Sequence, residues 1–225
     1  MHDYLHIISV YKSDISWIYN LKGKHILYHK NSPTLEPYNN INICGAETNI
    51  LKFIIQFYNI LPEICIFTHP YNNKWTHQGN LYEIVNTLYE NKEGLLNFGS
   101  LSHLKYDDIS NKDIKYNFMK KTDWWNKTMQ EYFGDMPSNF ALGHSPASQF
   151  YVRKNTIQRL PVKFYVNMYN FLIAKSIKGT LYNTNNMFNE YWMSRYMEWS
   201  WEFIFTSKLL NEELAHNFVS ASHNN

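Results

Sequence analysis

The sequence predicts an α/β fold with a mostly parallel central sheet flanked by helices. Three short runs rich in Ile, Val and Phe, at Leu5–Val10, His25–His29 and Ile64–Thr68, have the length and composition of buried strands. Among them lie stretches where apolar residues recur at helical spacing, as at Leu51, Ile54, Ile55 and Tyr58. The opening order is strand, helix, strand. That is the first unit of a parallel sheet, because parallel neighbours need a crossover long enough to hold a helix.

Leu5 to Val10 gives the first strand. Ser13 or Asp14 can cap a short helix through Asn20, which Lys22-Gly23-Lys24 ends before the second strand, His25 to His29. Pro33, Pro37 and repeated Asn mark residues 31–42 as loop. A helix is predicted from Glu47 to Tyr58, with Thr48 or Asn49 where a cap is needed and Glu47 at the positive end of the helix dipole. Leu61-Pro62 stops it, and Ile64 to Thr68 is apolar enough for the centre of the sheet. That strand ends abruptly at His69-Pro70, and the carboxyl ends of strands are where an open α/β sheet places its ligand crevice. Helices follow at Asn80–Tyr89 and Asp123–Phe133, separated by a weakly patterned stretch with room for loops and short strands. Gln149 to Arg153 reads as a strand and Asn155 to Arg159 as a helical turn; Pro161 suits the first turn of a helix to about Ser176. After a loop at Asn183–Asn186, the last helix spans Glu190 to Phe205, and the tail to Asn225 has little pattern.

Composition excludes several classes. The chain of 225 residues is long enough for one domain with a well-covered core. Its 18 Tyr, 14 Phe and 7 Trp are too many for a disordered chain. The net charge of +2 is too small to mark a nucleic-acid surface, and basic pairs such as Lys120-Lys121 stand alone. Cys44 and Cys65 form no CxxC pair and sit among apolar neighbours, which predicts buried free thiols in a reducing compartment. The N-terminus lacks the order of a signal peptide, and no stretch reaches the ~18 unbroken apolar residues of a membrane span. The expectation is a soluble cytoplasmic protein. Its oligomeric state is left open.

Four ordered segments resemble the DUF3431 family. They are Tyr11-Lys12-Ser13-Asp14-Ile15-Ser16-Trp17 with Ile26-Leu27-Tyr28-His29-Lys30; Gly45-Ala46-Glu47-Thr48 with Tyr58-Asn59-Ile60-Leu61-Pro62 and Ile66-Phe67; Ser148-Gln149-Phe150-Tyr151-Val152 with Pro161, Phe164 and Tyr165; and Tyr196 to Phe205. The family is similar in pattern to the glycosyltransferase A fold. That similarity implies a Rossmann-like sheet whose strand ends hold a nucleotide-sugar, often with a divalent cation such as Mn²⁺ or Mg²⁺. It also implies one domain, with a nucleotide-binding half over about residues 1–90, an acceptor half over about 91–210 and a tail from 211. Two departures stand out. The turn Thr68-His69-Pro70 lacks the acidic residue of the Gln-Gly-Asp-Pro-like turn the resemblance implies, and no Asp-x-Asp pair is present, Asp107-Asp108 being adjacent.

Several residues are candidates for a site. His69 and His77 bracket a loop holding Lys74 and Trp75; Trp75 can stack on a sugar ring, Lys74 offers a point charge to phosphate, and the two imidazoles are candidate metal ligands. An exposed loop around a buried Trp is the plain alternative. Tyr11 and Asp14 follow the first strand, where the implied fold holds the nucleobase, although Asp14 equally suits a helix cap. Ser145 and Gln149 can hydrogen-bond sugar hydroxyls. Glu47 reads as a dipole-stabilising carboxylate. The last helix is apolar on nearly every side, with stripes at Trp192, Tyr196, Trp199 and Phe203, and its only charged arc holds Arg195, Glu198 and Glu202. Glu198 is then either half of an ion-paired surface strip or a base toward an acceptor hydroxyl, a role His77 can share.

The resulting expectation is a glycosyltransferase that binds a nucleotide-sugar and transfers the sugar to a glycan or protein acceptor. The rival is a noncatalytic nucleotide- or glycan-binding or protein-interaction domain that retains the fold without the metal motif.

Overall fold

The computed structural model describes residues 3–30, 39–40, 44–72, 77–102, 119–140, 148–178 and 186–209. Its strands are β1 (Tyr4–Val10), β2 (His25–Lys30), β3 (Asn39–Asn40), β4 (Ile64–Thr68), β5 (Phe98–Ser100) and β6 (Phe150–Arg153). They form one six-stranded sheet in the order β3-β2-β1-β4-β6-β5. From β3 to β4 the neighbours are parallel, with Ile7 opposite both Ile26 and Phe67. The last two ladders are antiparallel, with β6 between β4 and β5. The expected mostly parallel α/β sheet is therefore present, and the three strands read from the sequence lie side by side at its centre.

Helices cover both faces. α1 (Glu47–Phe57), α6 (Val162–Lys178) and α7 (Asn186–Thr206) lie on one side, with α3 (Lys121–Thr128) and α4 (Gln130–Phe133) beyond them. There Ile7, Phe67, Phe150 and Val152 meet Phe53, Ile54, Tyr165 and Trp201. α2 (Leu81–Glu90) and a 3-10 turn at Ser16–Asn20 cover the other side, where Ile8, Val10, Ile64 and Ile66 meet Trp17, Leu81 and Val85. Successive strand residues point to opposite faces, so two-sided cover accounts for the near-continuous apolar runs of β1 and β4. α5 (Lys154–Gln158) turns the chain out of β6.

Several boundaries differ from the sequence reading. The helix expected over Asp123–Phe133 is two helices that meet at Met129, whose φ of −112° departs from the usual helical value while its ψ stays at −35°. Neither Thr48 nor Asn49 caps α1. Ala46 holds that position without a side-chain bond, while Thr48 accepts from Lys30 Nζ at 2.8 Å and Asn49 donates to the Tyr28 carbonyl at 3.3 Å. Buried partners on β2 outcompete the local cap. The loop of 31–42 contains the two-residue strand β3, residues 31–38 and 41–43 lying outside the described residues. Asn186 begins α7 rather than ending a loop. The short helix after β1 is 3-10, and Asp14 serves its start by accepting from the Ser16 amide at 2.8 Å. Cys44 and Cys65 are buried free thiols, as expected. Among the described residues no helix is long and apolar enough to cross a membrane.

Candidate functional site

The chain leaves β1 for β2 and β3 on one side, then returns to place β4 on the other. This reversal makes the carboxyl ends of β1 and β4 the topological switch point, where open α/β sheets hold ligands. Because β6 is antiparallel, its first residues arrive at that same edge, Phe67 lying opposite Phe150. The loops after β1 and β4 are tied together by the Trp17 indole, which donates to the Pro70 carbonyl at 2.7 Å. Each loop carries an exposed tyrosine, Tyr11 at 44% and Tyr71 at 39%. Asp14 is exposed, and its hydrogen bonds from Ser16 hold its carboxyl below the usual range.

His77 is buried beside this edge. Its Nε2 lies 2.7 Å from the Asn72 carbonyl oxygen, which can only accept, so Nε2 carries the hydrogen. Nδ1 is then the lone-pair nitrogen, and the Gln149 amide approaches it at 3.5 Å. Asn72 also accepts from the Leu81 amide through its carbonyl, pinning this loop to the start of α2. His69 is half-buried where β4 ends. Lys74, Trp75 and Ser145 lie outside the described residues.

The most densely connected group is centred on Glu47, the first residue of α1. It is 1% exposed. Its Oε1 accepts from Ser148 Oγ in a short hydrogen bond, and its Oε2 accepts from Ser194 Oγ at 2.6 Å. Burial pushes the Glu47 carboxyl up, opposed in part by the two hydroxyls and the Arg195 charge. One helical turn beyond Ser194, Glu198 is 5% exposed and accepts from Arg195 Nη1 at 2.6 Å. The pair expected at Arg195 and Glu198 thus forms, but its carboxylate is buried rather than part of a surface strip. Glu202 is the exposed member of that arc.

Backbone geometry around Glu47 is unusual. Cys44, Gly45 and Ser148 have φ of 53°, 54° and 53°. Left-handed backbone at a residue other than glycine carries strain that surrounding contacts must offset. A Cβ at Gly45 would lie 2.7 Å from Ser194 Oγ and 3.0 Å from Glu47 Oε2, so only glycine lets these groups meet.

The structure thus gathers Tyr11, Asp14, His69, His77 and Gln149 at one edge, with Glu198 bound to a guanidinium whose charge also reaches Glu47. Sequence reasoning paired Arg195 with Glu198 but missed Ser148 and Ser194 as partners of Glu47, which it read as a dipole group. One signal was present: Ser194 and Glu198 are four residues apart on an otherwise apolar helix, which puts both on one face. As for a metal, both ring nitrogens of His77 are engaged, and the described residues contain no group of three or more His, Cys, Asp or Glu able to hold an ion. The described donors do not fit a metal centre. A cleft of about 590 Å³ lies at the opposite edge of the sheet, beside Phe98 and Asn155. Arg159 lines it, with Nη1 and Nη2 donating to the Ser207 and Phe205 carbonyls at 3.1 and 3.0 Å.

A family model described as "Protein of unknown function (DUF3431)" matches residues 5–217. No curated protein and no solved structure matches the chain.

Proposed function

This chain belongs to the DUF3431 family, and from that premise and the geometry of its carboxyl edge we propose that it is a glycosyltransferase-like enzyme. A nucleotide-sugar binds across the ends of β1 and β4, and the sugar passes to an acceptor hydroxyl. The observation that carries the reading is the switch point itself. Two adjacent parallel strands end together, each followed by a loop with an exposed tyrosine, while a polar group from β6 and α7 converges on the same edge. Tyr11 stacks on the base, and Asp14, which keeps lone pairs beyond those used by Ser16, accepts from base or ribose. His69 and Gln149 face the phosphates and sugar, and Lys74, Trp75 and Ser145, read from the sequence and outside the described residues, are candidates for the same role. Glu198 is the base toward the acceptor, and His77 Nδ1 is the alternative. No step is routed through a metal.

Isothermal titration with a panel of UDP- and GDP-sugars, with and without Mn²⁺, tests the reading. Binding of at least one donor, followed by transfer or donor hydrolysis, supports it, and no binding to any overturns it. The second reading is a noncatalytic nucleotide- or glycan-binding domain. It is favoured by the engagement of Glu198 with Arg195, whose guanidinium occupies one of the carboxylate oxygens. It predicts binding without turnover.

A further inference from the structure

We propose that Glu47 is the positioning residue of this site, joining the start of α1 to the start of β6 and to α7 so that Gln149 is set against His77 and Arg195 against Glu198. The inference rests on reading the carboxyl edge as the functional site, but not on the class of ligand bound there.

A carboxylate that only complemented a helix dipole would serve best at the surface, where its charge stays solvated. Glu47 is instead buried, and the two serines that compensate it come from 101 and 147 residues away in sequence. Removing it would leave the buried Ser148 hydroxyl and the half-buried Ser194 hydroxyl without their acceptor and would release the left-handed turn at Ser148. The next residue is Gln149, whose amide meets His77 Nδ1. One path therefore runs from Glu47 through Ser148 to the imidazole.

A second path runs through charge. The groups acting on Glu47 are Ser194 and Arg195 from α7 and the neutral Ser148 from the start of β6, Glu198 being bonded to Arg195. Lys30 on β2 is hydrogen-bonded to the neighbouring Thr48. Arg195 bonds Glu198 directly and also acts on Glu47. While Glu47 keeps a proton, Arg195 is paired with Glu198. When Glu47 ionises, two carboxylates share one guanidinium. Burial favours the protonated form, so this exchange falls above the usual carboxyl range.

The test uses the full chain without ligand, labelled with ¹⁵N-histidine, and reads the His77 ring nitrogens by NMR. The wild type should show His77 as the Nε2–H tautomer. Glu47→Gln keeps an oxygen for one serine and an amide for the other. It should leave the tautomer in place. Glu47→Ala should shift the Nδ1 resonance and mix the tautomers. Should Glu47→Ala not fold, Ser148→Ala, which cuts the link to β6 alone, gives the same readout. An unchanged His77 spectrum in a folded Glu47→Ala or Ser148→Ala protein overturns the proposal, as does a changed tautomer in Glu47→Gln. Failure of every nucleotide-sugar to bind would instead remove the functional reading and leave the His77 result standing.

Discussion

Ser148 combines a left-handed backbone with a hydroxyl bound to a buried carboxyl, and two substitutions separate those contributions. Ala and Gly both remove the hydroxyl, but only Gly relieves the backbone. Ser148→Gly should therefore be more stable than Ser148→Ala by about 1 kcal/mol in urea denaturation, although both fall below wild type. Equal stabilities would mean that the turn is unstrained. Glu198 is the residue where structure and chemistry separate best. Glu198→Gln keeps an acceptor for Arg195 but removes the basicity. On the enzymatic reading turnover drops by roughly two to four orders of magnitude while donor binding, followed by titration, persists. If Glu198 only holds Arg195, the change costs about 1–3 kcal/mol of stability, as for a hydrogen bond to a charged group, and leaves turnover near wild type.

Among the elements, the segment Ser16–Asn20 does more than return the chain to β2. It places Trp17 against the β1–β4 face and sends the indole N–H to the Pro70 carbonyl. Trp17→Phe keeps most of the apolar body and leaves that buried carbonyl without its donor, at a cost of about 1–3 kcal/mol. Hydrogen exchange should quicken in the loop after β4 while the β1–β2 ladder keeps its protection. Uniform loss of protection across both regions would show that Trp17 supports the whole sheet rather than the coupling of two loops. Between Met193 and Phe205, α7 is buried over most of its surface, with Glu202 exposed. Trp201 stacks on Phe205 at 5.4 Å, the Tyr196 hydroxyl donates to the Met119 carbonyl, and Trp124 Nε1 donates to Ser200 Oγ at 3.0 Å. A helix so enclosed carries its few polar groups to specific partners, which is why Ser194, Arg195 and Glu198 all contribute to one cluster.

At the scale of the molecule, two buried titratable groups set opposite limits on stability. His6, inside β1, bonds Thr68 Oγ1 through Nε2 at 2.7 Å, and burial pushes its pKa down from 6.5 to about 3. A depressed histidine leaves stability whole above 6.5. As pH falls, the unfolded chain takes up the proton first, and stability declines toward pH 3 by up to about 1.4 kcal/mol per pH unit. Glu47 has the opposite sign. Its raised carboxyl contributes fully below the ordinary value of 4.5 and loses that contribution as pH rises through its folded value. Urea denaturation across pH should show the His6→Phe protein with a flatter acid limb and Glu47→Gln with a smaller decline on the other side. An acid limb unchanged in His6→Phe would assign acid sensitivity to other groups.

The sequence by itself determined the α/β class, the three central strands, the helices at Glu47 and Leu81, the burial of both cysteines and the enclosed last helix. Each of these follows from local periodicity and from apolar runs whose length fits one element. Only the tertiary structure decided the rest. Strand β5 has three residues, too few to show a period, and the reversed direction of β6 depends on which edge of the sheet its apolar face reaches. The caps at Thr48 and Asn49 yielded to partners on β2 because burial makes an unmet polar group costlier than an uncapped helix. The cluster around Glu47 is the extreme case. Its hydroxyl partners lie more than a hundred residues away, and chain periodicity carries no information about contacts that exist only once three elements meet.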